Sequence, residues 1–169
     1  AGPGMRGIAV IHNGQLVAQS YGPGFSAATP LLGWSMTKSV TAGLVGMQIG
    51  DGTLAMDRAG FWPKDSGGRE AIKLRQLMAM DDGLDFNEGY GDVSDVTRML
   101  YLEPDMAAYM QARPLAHPPG TFWNYSSGTT VMLSHIWQSV AGAKALELPY
   151  TRLFKPRGMS RALVEADAR

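Results

Sequence analysis

The stretch "SMTKSVTAGLVGMQI", residues 35–49, contains a single charged side chain, Lys38, in an otherwise apolar or small-residue run. Its apolar residues, Met36, Val40, Leu44, Met47 and Ile49, recur at helical spacing. Gly50-Asp51-Gly52 then stops the helix. A helix with almost no polar face is buried on most sides, so other elements must cover it. Gly43 and Gly46 lower its helix propensity but permit close backbone approach.

The covering elements follow a simple order. "RGIAVIHNGQLVAQSY" (6–21) reads as a hairpin, two apolar runs around Asn13-Gly14, a dipeptide that tolerates the positive φ angles of a tight turn. A loop (22–32) leads into the apolar helix. Beyond it, "FWPKDSGG" (61–68) is loop and "IKLRQLMAM" (72–80) a short helix ended by "DDGL". Ser94 and Asp105 are placed as N-caps of two more short helices. "PLAHPPGTFWNY" (114–125) is extended, and Ser126 or Ser127 caps a long helix running to Val140. A last short helix covers about 144–154, ended by "PRGM" (156–159). Strands first and helices after, with no βαβ alternation, define an α+β class. Two strands do not make a stable sheet. The pattern therefore calls for more strands than these residues contain, with "SRALVEADAR" (160–169) enough for about one.

Composition narrows the function. Acidic and basic residues balance at 15 each, which gives no bias towards nucleic acid or a charged membrane surface. There is no cysteine, hence no disulfide and no thiol nucleophile. No apolar run is long enough to span a bilayer. The stretch "AGPGMRG" has neither a basic start nor an apolar core of a signal peptide, so the compartment is undetermined. His12, His117 and His135 share no ligand spacing, and no metal or cofactor is expected. The scattered methionines read as core filler.

Chemistry concentrates at Ser35 and Lys38. Positions i and i+3 are neighbours on one helix face, so the Ser35 hydroxyl meets the Lys38 amine. The helix N-terminus offers unpaired N–H groups to an oxyanion. Burial and the positive helix end both disfavour a lysine charge. A neutral amine there accepts the serine proton. The same spacing also fits a serine N-cap followed by an ordinary lysine, and spacing alone leaves both readings open.

Longer motifs add a resemblance. "WSMTKSVTAGLVG" (34–46) resembles the S-x-x-K helix of the serine β-lactamase and penicillin-binding-protein superfamily. "LRQLMAMDDGLDF" (74–86), "HPPGTFWNYSSGTTVMLSHI" (117–136) and "LFKPRGM" (153–159) are similar to its later segments, in the same order. The class C-like branch, with family VIII esterases and 6-aminohexanoate-dimer hydrolases, is the nearest in pattern. The resemblance implies an antiparallel sheet flanked by helices plus a helical domain. It makes 1–169 one incomplete domain, with the hairpin and nucleophile helix in 1–60 and a mainly helical region in 61–169. It implies Ser35 as nucleophile, Lys38 as its base and Tyr125 as the second-motif tyrosine. Tyr90, in "NEGYGD", and Ser127 are implied as substrate-binding residues. A rival second motif is "SDV" (94–96), close to the S-D-N of class A enzymes, but Ser94 is already explained as a cap. Phe122 and Trp123 read as packing residues.

Three departures matter. Ser127 stands where the branch often has asparagine, which weakens a β-lactam reading and favours an ester or amide. Asp82 stands where the family usually has a small serine, and no role is assigned to it. No K-T-G-like third motif follows Tyr125 within these residues. The expectation is a serine hydrolase acting through an acyl-enzyme on a small ester or amide. The alternative is a β-lactamase, DD-peptidase or penicillin-binding sensor acylated on the same serine. A second polypeptide, a further copy or a longer precursor is expected to complete the sheet.

Overall fold

The computed structural model describes residues 2–166. The hairpin forms as β1 (Gly7–His12) against β2 (Gln15–Tyr21), antiparallel. Asn13 (φ 48°) and Gly14 (φ 75°) both take the left-handed conformations expected of the tight turn. The register slips between Val10 and Ile11, so Val17 bulges out of the ladder. Every residue of β2 is exposed, and Ile11 on β1 is 70% exposed. Both faces of this two-stranded ribbon are thus wet, which an apolar strand pair tolerates only as part of a larger sheet.

A 3-10 turn (Trp34–Met36) opens α1 (Thr37–Gly50). Then come α2 (Leu74–Ala79), α3 (Asp95–Tyr101), α4 (Met106–Gln111) and α5 (Ser127–Ala141). The caps are those the sequence proposes. Ser126 Oγ accepts the Thr129 N–H at 2.9 Å, and Asp105 Oδ1 accepts the Ala108 N–H at 2.9 Å. The Ser94 N–H donates to Thr97 Oγ1 at 2.9 Å. The helix expected over 144–154 is broken instead into a 3-10 turn (Gly142–Lys144) and a π-helical turn (Pro149–Phe154). Pro149 explains the break, since its missing N–H cannot continue an α-helical ladder. No strand forms in 160–166, where the Val164 N–H caps the Tyr150 hydroxyl oxygen at 3.0 Å. The rest of that expected strand lies outside the described residues.

Helix α5 is the hub. It packs against α1, α2, α3 and α4, and its Met132, Leu133, Ile136 and Trp137 join Leu44, Val45, Leu74, Leu77, Val96, Met99 and Met110 in the core. Gly128, in its first turn, is obligatory: a Cβ there would run into the Met110 sulfur and the Phe86 ring. The expectation that α1 is buried on most sides is not met. Only Thr41, Leu44, Val45 and Gln48 are buried, all on the side facing the core. Nothing lies within 4 Å of a Cβ built on Gly43, Gly46 or Gly50, so the close approach those glycines permit is unused here. The bare face of α1 and the bare hairpin are both surfaces that further strands would cover.

Candidate active site

The site lies where the 3-10 turn before α1, the loop before α5 and the 87–94 loop converge. Ser35 sits one turn earlier than an α-helical N-terminus, in the 3-10 segment. Side chains at i and i+3 eclipse in that geometry. Lys38 Nζ accordingly lies 3.2 Å from Ser35 Oγ. Trp34, just before Ser35, takes φ 43°, a left-handed conformation unusual for a residue with a Cβ. Ser35 is exposed and Lys38 is half-buried.

Tyr125 reaches the same pair from the far side. The polar influence of Ser35 first, and of Lys38 after it, holds its phenol below the ordinary value of 10.0, against an opposing effect of burial. Lys38 Nζ also stands 4.9 Å from the centre of the Tyr125 ring. The loop that aims Tyr125 is fixed at several points. The Asn124 N–H donates to the Met80 carbonyl at 2.9 Å, and Asn124 Nδ2 to the Phe86 carbonyl at 2.9 Å. The Gly120 N–H donates to the Asp81 carbonyl at 2.7 Å. Gly83, at φ 81°, lets the 81–84 turn pass so close to His117 that a Cβ would strike its carbonyl oxygen.

Ser127, the first residue of α5, completes the group. Its Oγ accepts from Lys38 Nζ at 3.1 Å and donates to Glu88 Oε1 at 2.5 Å. Its backbone N–H donates to Glu88 Oε2 at 2.7 Å. Tyr90 comes in from the same loop, with its ring edge-on to Trp34 at 6.4 Å. Desolvation raises the Tyr90 phenol above 10.0, and Ser127 opposes that shift. Beyond Tyr90 an open groove of about 430 Å³ runs between Val93, Thr97, Tyr101 and Leu102. Ser35, Lys38, Tyr125, Ser127 and Tyr90 are therefore brought together.

The rival "SDV" is not among them. Asp95 Oδ1 accepts from the Tyr109 hydroxyl at 2.6 Å and lies 3.1 Å from Arg113 Nη1, while Oδ2 accepts the Asn87 N–H at 2.9 Å. Ser94 Oγ donates to the Gly89 carbonyl. Both side chains fasten the 87–94 loop. Asp82 is buried and braces α5 from below: Oδ2 accepts from Thr129 Oγ1 at 2.6 Å and Oδ1 from the Leu84 N–H at 2.9 Å. Phe122 and Trp123 are exposed and Phe122 stacks on His117 at 4.1 Å, so Trp123 does not pack as the sequence suggests. The sequence reading missed Glu88. Its one local signal was a carboxylate two residues ahead of Tyr90 in a glycine-flanked loop. Among the described residues no group of three or more His, Cys, Asp or Glu side chains is placed to hold a metal ion.

A serine and a lysine one turn apart, approached by a loop tyrosine, in a chain that pairs an antiparallel hairpin with a helical cluster, define the β-lactamase-like α+β class. The chain belongs to the beta-lactamase family, whose profile matches residues 2–168. Solved structures with this fold include a protein assigned as a 6-aminohexanoate-dimer hydrolase from Bacillus anthracis. It has 20% identity and a TM-score of 0.70, over 86% of this chain and 43% of that one. A protein assigned as a beta-lactamase from Bacteroides dorei DSM 17855 has 23% identity and a TM-score of 0.74, over 97% and 50%. SurE, solved with D-Leu, has 22% identity and a TM-score of 0.63, over 91% and 36%. The chain thus spans half or less of the length of each. No curated protein sequence matches it.

Proposed function

We propose that the protein is a serine hydrolase that cleaves a small ester or amide through an acyl-enzyme. The observation that carries this reading is the meeting of Lys38 Nζ with Ser35 Oγ at 3.2 Å, with the Tyr125 ring 4.9 Å from the same amine. Lys38 takes the Ser35 proton as Oγ attacks the carbonyl carbon. The tetrahedral intermediate collapses, the bond to the leaving group breaks, and Tyr125 delivers a proton to that group and takes in exchange the one Lys38 holds, which resets both. Water then attacks the acyl carbon, and its proton returns through the same residues as Ser35 is released. Tyr90 and the groove beyond it line the substrate's path. Incubation with a fluorophosphonate and, separately, with a penicillin, followed by mass spectrometry, tests this. A single adduct on Ser35 is expected, absent in Ser35→Ala. Labelling that persists in that variant, or falls on Ser94, Ser126 or Ser127, would overturn it.

The family and the neighbour assigned as a beta-lactamase favour one second reading: a β-lactamase, DD-peptidase or penicillin sensor using the same serine. A penicillin adduct that stays on Ser35 would mark the sensor.

We further propose that the strands missing from the sheet come from additional polypeptide: another chain, a second copy, or more of a longer protein. The bare hairpin, the uncovered face of α1 and the span of at most 50% of each neighbour support this. The 169 residues alone should self-associate or unfold without cooperativity, and be poor esterases. A cooperative monomer with ordinary turnover sinks this proposal.

A further inference from the structure

Glu88 is outside every motif of the sequence, yet both of its carboxylate oxygens are spent on Ser127, one on the backbone N–H and one on the hydroxyl. We infer that Glu88 is a positioning residue that fixes the direction of the Ser127 hydroxyl and, through it, turns the Lys38 lone pair towards Ser35. The inference rests on the serine-hydrolase reading and deepens it.

The argument is a count of protons and lone pairs. A serine hydroxyl has one proton to give and two lone pairs to offer. An ionised carboxylate can only accept. At 2.5 Å from Glu88 Oε1, the Ser127 proton must therefore point at Glu88. The lone pairs of Ser127 are left to accept, and Lys38 Nζ lies 3.1 Å away. Ser127 cannot donate to Lys38. A neutral lysine amine carries two N–H bonds and one lone pair. With an N–H committed to Ser127, the lone pair is free to face Ser35 Oγ at 3.2 Å and take its proton. Were Ser127 to turn and donate to Lys38, that lone pair would be consumed, and Lys38 would meet Ser35 only as a donor. The second bond, from the Ser127 N–H to Oε2, prevents the carboxylate from swinging away.

The same count reassigns Ser127. With its one proton committed to Glu88 and a lone pair taken by Lys38, its hydroxyl has no donor left for a substrate, so it serves as the link between Glu88 and Lys38. A hydroxyl in this place, where the family's branch often has an amide, is functional because a carboxylate stands behind it.

Glu88→Gln tests the idea with little change of shape. The glutamine amide can donate to Ser127 Oγ as well as accept, so the hydroxyl is no longer forced. In the catalytically competent form, the rate constant for fluorophosphonate labelling of Ser35 should fall on the order of 10- to 100-fold, the usual cost of misorienting a group through its supporting partner. With an ester substrate the loss should appear in kcat, with KM within about twofold of wild type. In a Ser127→Ala background, Glu88→Gln should cost nothing further, because the link is already gone. A residue that merely held the loop would lower both parameters and add its effect to that of Ser127→Ala. Additive losses, or no loss at all, overturn the inference while leaving the serine-hydrolase reading standing. A wild-type protein whose Ser35 takes no label overturns that reading, and this one with it.

Discussion

Thr129→Val exchanges a hydroxyl for a methyl of nearly the same size, so the packing of α5 changes little and the hydrogen bond to Asp82 is lost. Thr129 is fully buried and Asp82 is 4% exposed, so no water replaces the lost donor. Asp82 then keeps only the Leu84 N–H at 2.9 Å. A hydrogen bond to a charged group contributes about 1.5–3 kcal/mol, and the loss at neutral pH should have that size. The pH dependence identifies the cause. Burial raises the Asp82 carboxyl above its ordinary 3.8, and the Thr129 hydrogen bond is the largest effect pulling it back. A carboxyl raised on folding contributes stability that is fully present below the unfolded value and lost as pH rises through the folded one. Thr129→Val raises the folded value further, so the variant loses more stability than wild type as pH rises. In acid, where the carboxyl is neutral, the difference should shrink to the about 0.5–1.5 kcal/mol of a neutral bond. Asp51, lowered by its bond to Arg152, and Glu70, lowered by backbone and Ser66 hydrogen bonds, lose stability as pH falls, but equally in both proteins, so they cancel. Urea unfolding of both proteins at pH 3 and pH 7.5, followed by tryptophan fluorescence, measures the two differences. A gap that is constant with pH, or wider in acid, refutes the argument.

Lys38→Ala and Tyr125→Phe should each slow the hydrolysis of a good ester by on the order of 10²–10⁴. Together they should cost less than the product, because the two groups share one proton path. Because Ser35 and Lys38 hold the Tyr125 phenol below 10.0, and Tyr125 must carry the proton it delivers, the rate should fall as pH rises through a value lower than that, and Tyr125→Phe should remove this limb of the pH–rate profile. Asp95→Asn should loosen the 87–94 loop and lower the rate, but by less than Tyr125→Phe. The reverse order would restore Asp95 as the second-motif residue. Short p-nitrophenyl esters should give a higher kcat/KM than nitrocefin, and parallel assays decide it.

What could be read in the sequence was local. Asn13-Gly14 announces its turn because few other pairs accept two positive φ angles. Ser126, Ser94 and Asp105 announce helix starts because short polar side chains satisfy the first free N–H groups. Ser35 and Lys38 are three residues apart, so periodicity alone brings them together. Tyr125 is far along the chain, and only the resemblance proposed its place. Glu88 and Ser127 meet across 39 residues, through a loop whose course depends on Asp95, Asn124 and Gly83. No spacing rule carries that information. The apolar character of α1 was legible, but which of its faces is covered was not, because that depends on α5, which meets the Thr41, Leu44, Val45 and Gln48 side alone from far along the chain.

The two carboxylates the motifs left unexplained do complementary work on one helix end. Asp82 braces α5 from below through Thr129, and Glu88 holds its first residue from above through Ser127. A carboxylate near a helix N-terminus is favoured by the partial positive charge of the free N–H groups there. The 87–94 loop can present Glu88 because its own ends are tied, Asn87 to Asp95 and Gly89 to Ser94. The "SDV" segment that imitates a catalytic motif is therefore the fastening of the loop that carries Glu88 and Tyr90. Its acidic residue reaches the chemistry only through that loop. In the mechanism we propose, the direction of a hydroxyl proton, set by an acceptor that cannot donate, is what turns this scaffolding into a bias on which way Lys38 moves the proton of Ser35.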